Sequence, residues 1–208
     1  IGDDIYKKKG ILVNNGQGGE MLDLDPLYYG MEDVAYLYLD IQYWEINTLD
    51  ELANRVKANK NIGFEELKML YRLLEGEYLH QGKFVLEEKL SFYDLQKNVQ
   101  RKFAFASDGL LHDCISLYKE KEYFGAIQCG RKALDYAAAG VNASMGKINL
   151  KIEKWNSKIF LLQDVPASEK NEFVYLMYGK AEFTETYIER LIVFVQNILN
   201  KKLDFLGK

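Results

Sequence analysis

The residue with the clearest chemical potential is Asp40, which stands inside the run YLYLDIQYWEI, residues 36–46. Read with a period of two, Val34, Tyr36, Tyr38, Asp40, Gln42 and Trp44 fall on one face of a strand. Ala35, Leu37, Leu39, Ile41 and Tyr43 fall on the other, which is an ordinary apolar core face. A carboxylate projecting from a rigid strand into a cleft is placed to ligate a metal or to act as a general base. Tyr36, Tyr38 and Trp44 would wall that cleft. Asp23-Leu24-Asp25 sets two further carboxylates on one side of an extended chain, a spacing that can bind Mg²⁺, although a turn before Pro26 explains it equally well.

Cationic groups supply the complementary chemistry. Arg131 and Lys132 lie in an alanine-rich helical stretch, and Lys147, Lys151, Lys154 and Lys158 surround Trp155. A basic edge carrying an aromatic ring suits a polyphosphate; the same residues also fit the solvated faces of amphipathic helices. The glycines of GQGG, residues 16–19, would let backbone N–H groups approach an anion. No Lys-Ser/Thr and helix start follows them, so a hairpin turn is the better reading. His80 and His112 have no Cys, Asp or second His at ligand spacing, and no Ser-His-Asp or Cys-His pattern is present. Neither histidine has an arginine four to six residues before it, which disfavours a helical ribonuclease.

The elements that position these groups change character along the chain. Residues 1–47 read as β-rich and turn-rich: an apolar strand before an Asn-Gly turn, an extended piece ending at Pro26, and the Tyr36–Ile46 strand. Residues 48–208 read as a bundle of five or six helices. Thr48 with Glu51 gives a capping-box start, followed by the apolar stripe Leu49, Leu52, Ala53 and Val56. Phe64, Leu67, Leu70, Tyr71, Leu74 and Tyr78 repeat the pattern. Residues 90–121 read as one long helix or as two that would part near Ser107-Asp108-Gly109. Ser168, after Pro166, is the expected cap of a later helix. The expected class is α+β, with the N-terminal segment as the remnant of a larger sheet.

Composition narrows the function classes. The chain is 48% hydrophobic and 28% charged, as an ordinary folded protein is. A net charge of −4 argues against a dedicated nucleic-acid binder but leaves room for a local basic cleft. Cys114 and Cys129 lack metal-ligand spacing and are expected to be buried free thiols, consistent with a cytoplasmic protein. No apolar run approaches the ~20 residues of a membrane span.

Two pieces of the sequence, YLYLDIQYWEI and the stretch from Lys119 to Trp155, resemble the nucleotidyltransferase superfamily, particularly its small antibiotic-modifying members. In that family a strand of hydrophobic-acid-hydrophobic pattern supplies the third metal carboxylate, and a helical domain follows. The resemblance implies that Asp40 is a Mg²⁺ ligand and catalytic group. It implies that Tyr36, Tyr38, Trp44, Arg131, Lys132, Lys154 and Trp155 approach the nucleoside triphosphate or the acceptor. The implied reaction moves a nucleoside monophosphate from ATP or another triphosphate to a hydroxyl of a small molecule or protein. The family's Gly-Ser turn and acid-x-acid strand are missing, because Gly18-Gly19 precedes Asp23-Leu24-Asp25 by only three residues. The chain therefore reads as the part of a longer protein that follows that motif. It is expected to be inactive alone and to bind ATP–Mg²⁺ weakly or not at all. The alternative is a non-catalytic helical module that binds a protein partner, as an antitoxin or regulator does. Apolar faces on most helices fit a closed bundle or a homodimer.

Overall fold

The computed structural model describes residues 46–76, 86–151, 155–201 and 203 (the Glu87 side chain apart), together with the backbone of residues 11–14, 20–23 and 40–43. The expected α+β class is overturned, because the described architecture is that of an all-helical protein. Among the described residues seven helices supply the architecture: α1 (Ile46–Lys57), α2 (Phe64–Glu75), α3 (Phe92–Lys119), α4 (Tyr123–Ser144), α5 (Asn156–Leu162), α6 (Ala167–Tyr178) and α7 (Glu185–Lys201). Among the described residues, strands are three four-residue segments, β1 (Ile11–Asn14), β2 (Glu20–Asp23) and β3 (Asp40–Tyr43), paired antiparallel in sequence order. The physical reason lies in the helices: they bury their apolar faces against one another and need no sheet as a partner layer.

Two hydrophobic clusters fill the bundle. In one, α1 and α2 pack on the first half of α3 through Leu52, Val56, Leu67, Leu70, Leu95 and Val99. In the other, α4 lies against the second half of α3 and against α5, α6 and α7. Alanines and glycines along α4 permit that closeness. A Cβ on Gly130 would stand 2.6 Å from Leu191 Cδ2 and 3.1 Å from Cys114 Sγ. Phe103 is fully buried in the first cluster, with its ring 5.1 Å from Phe64 and 6.0 Å from Tyr136.

Local signals mark the starts of α2 and α3. Ser91 caps α3, its Oγ accepting from the Asp94 amide at 3.1 Å. The Gly63 amide donates to Glu66 Oε2 at 2.6 Å at the start of α2. Two expectations need correction. The expected strand ending at Ile46 and the capping box at Thr48 give way to a helix that already starts at Ile46. α6 starts at Ala167 with Pro166 as its N-cap, one residue before Ser168. Of the two readings of residues 90–121 the single helix holds: α3 runs unbroken through Ser107-Asp108-Gly109, where buried Ser107 donates its hydroxyl to Ala133 O of α4 at 2.8 Å.

Short α5 is docked on α4 by a polar seam. Asn142 Nδ2 donates to Asn156 O at 2.9 Å and Ser157 Oγ donates to Asp135 Oδ1 at 2.9 Å. Asn142 Oδ1 is buried and has no hydrogen-bond partner among the described residues. Burial pushes the Asp135 carboxyl above its ordinary range, only partly opposed by the Ser157 hydrogen bond. A carboxyl pKa raised on folding makes the ionised group destabilising at neutral pH, and that penalty fades as pH falls through the raised value towards the unfolded one. Asp135→Asn keeps an acceptor for Ser157 and removes the buried charge. Its Tm should exceed that of wild type at pH 7, and the difference should close in acid; a variant less stable at pH 7 would show the charge to be favourable.

Both cysteines are free, Cys114 buried and Cys129 half-buried, as expected. Burial and the neighbouring Cys129 push the Cys114 thiol up to about 12. Among the described residues no helix is long and apolar enough to cross a membrane.

Candidate binding groove

A cavity of about 490 Å³ opens between the α1–α2 connection and α3, lined by residues 59–62, Leu67, Asn98, Arg101, Lys102, Phe105 and Ala106. Its wall begins where α1 ends. Asn59 adopts a left-handed conformation (φ 51°), and the Lys60 amide returns to Arg55 O at 2.9 Å, which reverses the chain. Ile62 then inserts into the core and anchors the connection.

Side chains hold this loop from both sides. Arg55 Nη2 donates to Asn61 O at 2.6 Å, while from α3 Arg101 Nη1 donates to Asn59 O at 3.1 Å and Lys102 Nζ to Asn61 Oδ1 at 3.0 Å. Buried Asn98 closes the base, its Nδ2 donating to Val56 O at 2.8 Å. The Arg101 guanidinium lies 5.4 Å from the Phe105 ring centre and Lys102 Nζ 5.6 Å from that of Phe64. A guanidinium has five N–H donors and an ammonium three, so each cation keeps donors beyond its loop contact. Lys60 adds an exposed ammonium at the mouth. None of the described lining residues is acidic.

The chemistry of this lining is specific in kind. Fixed cations with free donors attract an anion, and phosphate fits both guanidinium and ammonium. Ile62, Leu67, Ala106 and the 53%-exposed ring of Phe105 offer an apolar surface to the rest of the same ligand. The loop is already held in place, so little ordering is needed on binding.

The residues singled out from the sequence lie elsewhere. Arg131 is committed to the fold: its Nε donates to Leu176 O at 2.9 Å, and its Nη2 to Gly179 O at 2.7 Å and to the Tyr187 hydroxyl at 2.9 Å. Lys132, the next residue, is exposed. Trp155 is 60% exposed with φ 75°, and Lys158 Nζ lies 5.2 Å from its ring centre. Lys147 and Lys151 are exposed. Asp40 opens β3, opposite Asp23 in the backbone register. Tyr36, Tyr38, Trp44, Lys154, His80, the Gly16–Gly19 run and Asp25 lie outside the described residues. Among the described residues no three His, Cys, Asp or Glu side chains gather as metal ligands.

The groove residues hold neither the strand acid nor the lysines around tryptophan that the sequence makes conspicuous. The pointer was present in VQRKFAF, residues 99–105, where two cations stand beside an exposed aromatic on one helix. No family model, curated protein or solved structure matches the chain.

Proposed function

We propose that the chain is a helical binding module that takes an anionic ligand carrying a flat apolar part, with a nucleoside phosphate as the model ligand. The observation that carries this reading is the groove itself, where Lys60, Arg101 and Lys102 share one cavity with Phe105 and the described lining holds no carboxylate. The phosphates would contact the cations directly and the base would lie on the ring of Phe105. This keeps the nucleotide ligand that the sequence suggested and moves it from Asp40 to α3. Binding of this kind needs no Mg²⁺, whereas phosphoryl transfer through Asp40 would depend on it.

Calorimetric titration with ATP in the presence of EDTA tests the reading. The expected Kd is on the order of 0.1–1 mM, typical of a few charge-assisted contacts at an open site. Lys60→Glu and Lys102→Glu should each weaken it by roughly tenfold. Binding that appears only with Mg²⁺, or that ignores both substitutions, would remove the groove as the site.

A further inference from the structure

The groove does not end at Phe105. Along α3 the residues Tyr93, Lys97, Arg101 and Phe105 recur every fourth position, and all four are exposed. Residues four apart on a helix are neighbours, so the four make one slowly curving stripe. The pairing is visible in the side chains. Lys97 Nζ lies 4.5 Å from the Tyr93 ring centre, and the Arg101 guanidinium 5.4 Å from that of Phe105. The rings are 59% and 53% exposed, far from the burial an aromatic side chain normally reaches in a core. At ~1.5 Å per residue the stripe is about 18 Å long. Lys60 and Lys102 flank it at the groove, and Asp94 is the carboxylate beside Lys97.

Two cations set between two aromatic platforms match one kind of occupant: a flexible polyanion that also carries flat rings. The geometry points to single-stranded nucleic acid lying along α3, one nucleotide phosphate in the groove and the bases at the two ends of a short run stacked on Phe105 and Tyr93. Stacking needs only a π-face and is tolerant of sequence, while the cations track the backbone. The length suits about four nucleotides, the short end of known single-strand sites. The acidic balance of the whole chain does not oppose this, because at physiological salt charges beyond ~8 Å are screened and the local strip dominates. The proposal rests on the groove reading and extends its ligand from a mononucleotide to a strand.

Fluorescence anisotropy with labelled oligo-uridylate and oligo-thymidylate of two, four and eight nucleotides separates the two claims, with ATP as a competitor. Affinity should rise at least tenfold from two nucleotides to four and then level off per site. Its logarithm should fall with the logarithm of salt concentration with a slope of about −0.7 per phosphate contacted. Tyr93→Ala and Lys97→Ala, both at the far end of the stripe, should each weaken the tetramer by roughly tenfold. Both should leave ATP binding unchanged. Unchanged affinity from two to eight nucleotides, with ATP still bound, overturns the strand proposal and leaves the groove standing. Binding of heparin as tight as that of the oligomers, with no loss in Tyr93→Ala, overturns it as well, since stacking would then contribute nothing. Loss of ATP and oligomer binding together in wild type defeats both.

Discussion

Phe103→Ala should destabilise the protein by about 3–5 kcal/mol, the usual range for removing a fully buried phenyl ring. Small domains are commonly stable by only 5–15 kcal/mol, so this one change would remove a large share. The effect should be large here because Phe103 lies at the centre of the first cluster, its ring near those of Phe64 of α2 and Tyr136 of α4. Its surroundings are rigid helix on three sides, so the cavity can collapse only in part. Phe103→Leu retains most of the contact and should cost well under half as much. Urea titration followed by circular dichroism reads both: the midpoint should fall with the slope unchanged. A cost under ~1 kcal/mol for the alanine variant would mean that this ring does not hold α2, α3 and α4 together.

The second large effect is expected at Arg131, and it is one of stability rather than binding. Its guanidinium donates to the carbonyls of Leu176 and Gly179 at the end of α6 and to the hydroxyl of Tyr187 in α7. Those groups would lose their donor in Arg131→Met, although Leu176 O also accepts from the Tyr187 hydroxyl at 2.7 Å and is not stranded. Hydrogen bonds from a charged donor contribute roughly 1.5–3 kcal/mol, and a loss of about 2–3 kcal/mol is expected. Methionine fills the methylene path of the arginine, so packing loss should be minor. Hydrogen exchange should accelerate most in residues 176–187. ATP affinity should stay at the wild-type value. A variant as stable as wild type but unable to bind ATP would return Arg131 to the phosphate site inferred from sequence.

These two residues also show what was legible before the structure. The apolar stripe Leu49, Leu52, Ala53 and Val56 was readable from its 3.6-residue period, and all four are buried in α1. Periodicity reports a helix that hides one face, and it does so well. It reports poorly on a residue whose role depends on a distant partner. Arg131 looked like a free cation in an alanine-rich helix, because its three acceptors lie 45 to 56 residues away. Ser107-Asp108-Gly109 left the choice of one helix or two open for the same reason: the acceptor that satisfies Ser107 belongs to α4. The class failed on a different ground. Tyrosine and β-branched residues around Asp40 raise strand propensity, yet propensity is a local quantity. The helices settle the architecture by burying one another, which no short window shows. The groove required a loop to be brought against α3, and only Arg101, Lys102 and Phe105, close in sequence, left a trace of it.

The groove reading is met most directly by amide chemical-shift mapping of the ¹⁵N-labelled protein during ATP titration without metal. The expected result is saturable shifts concentrated at residues 59–62 and 98–106, with Lys60→Glu reducing them across the range. Shifts that gather instead around residues 20–23 and 40–43, or none anywhere up to millimolar ATP, would contradict it.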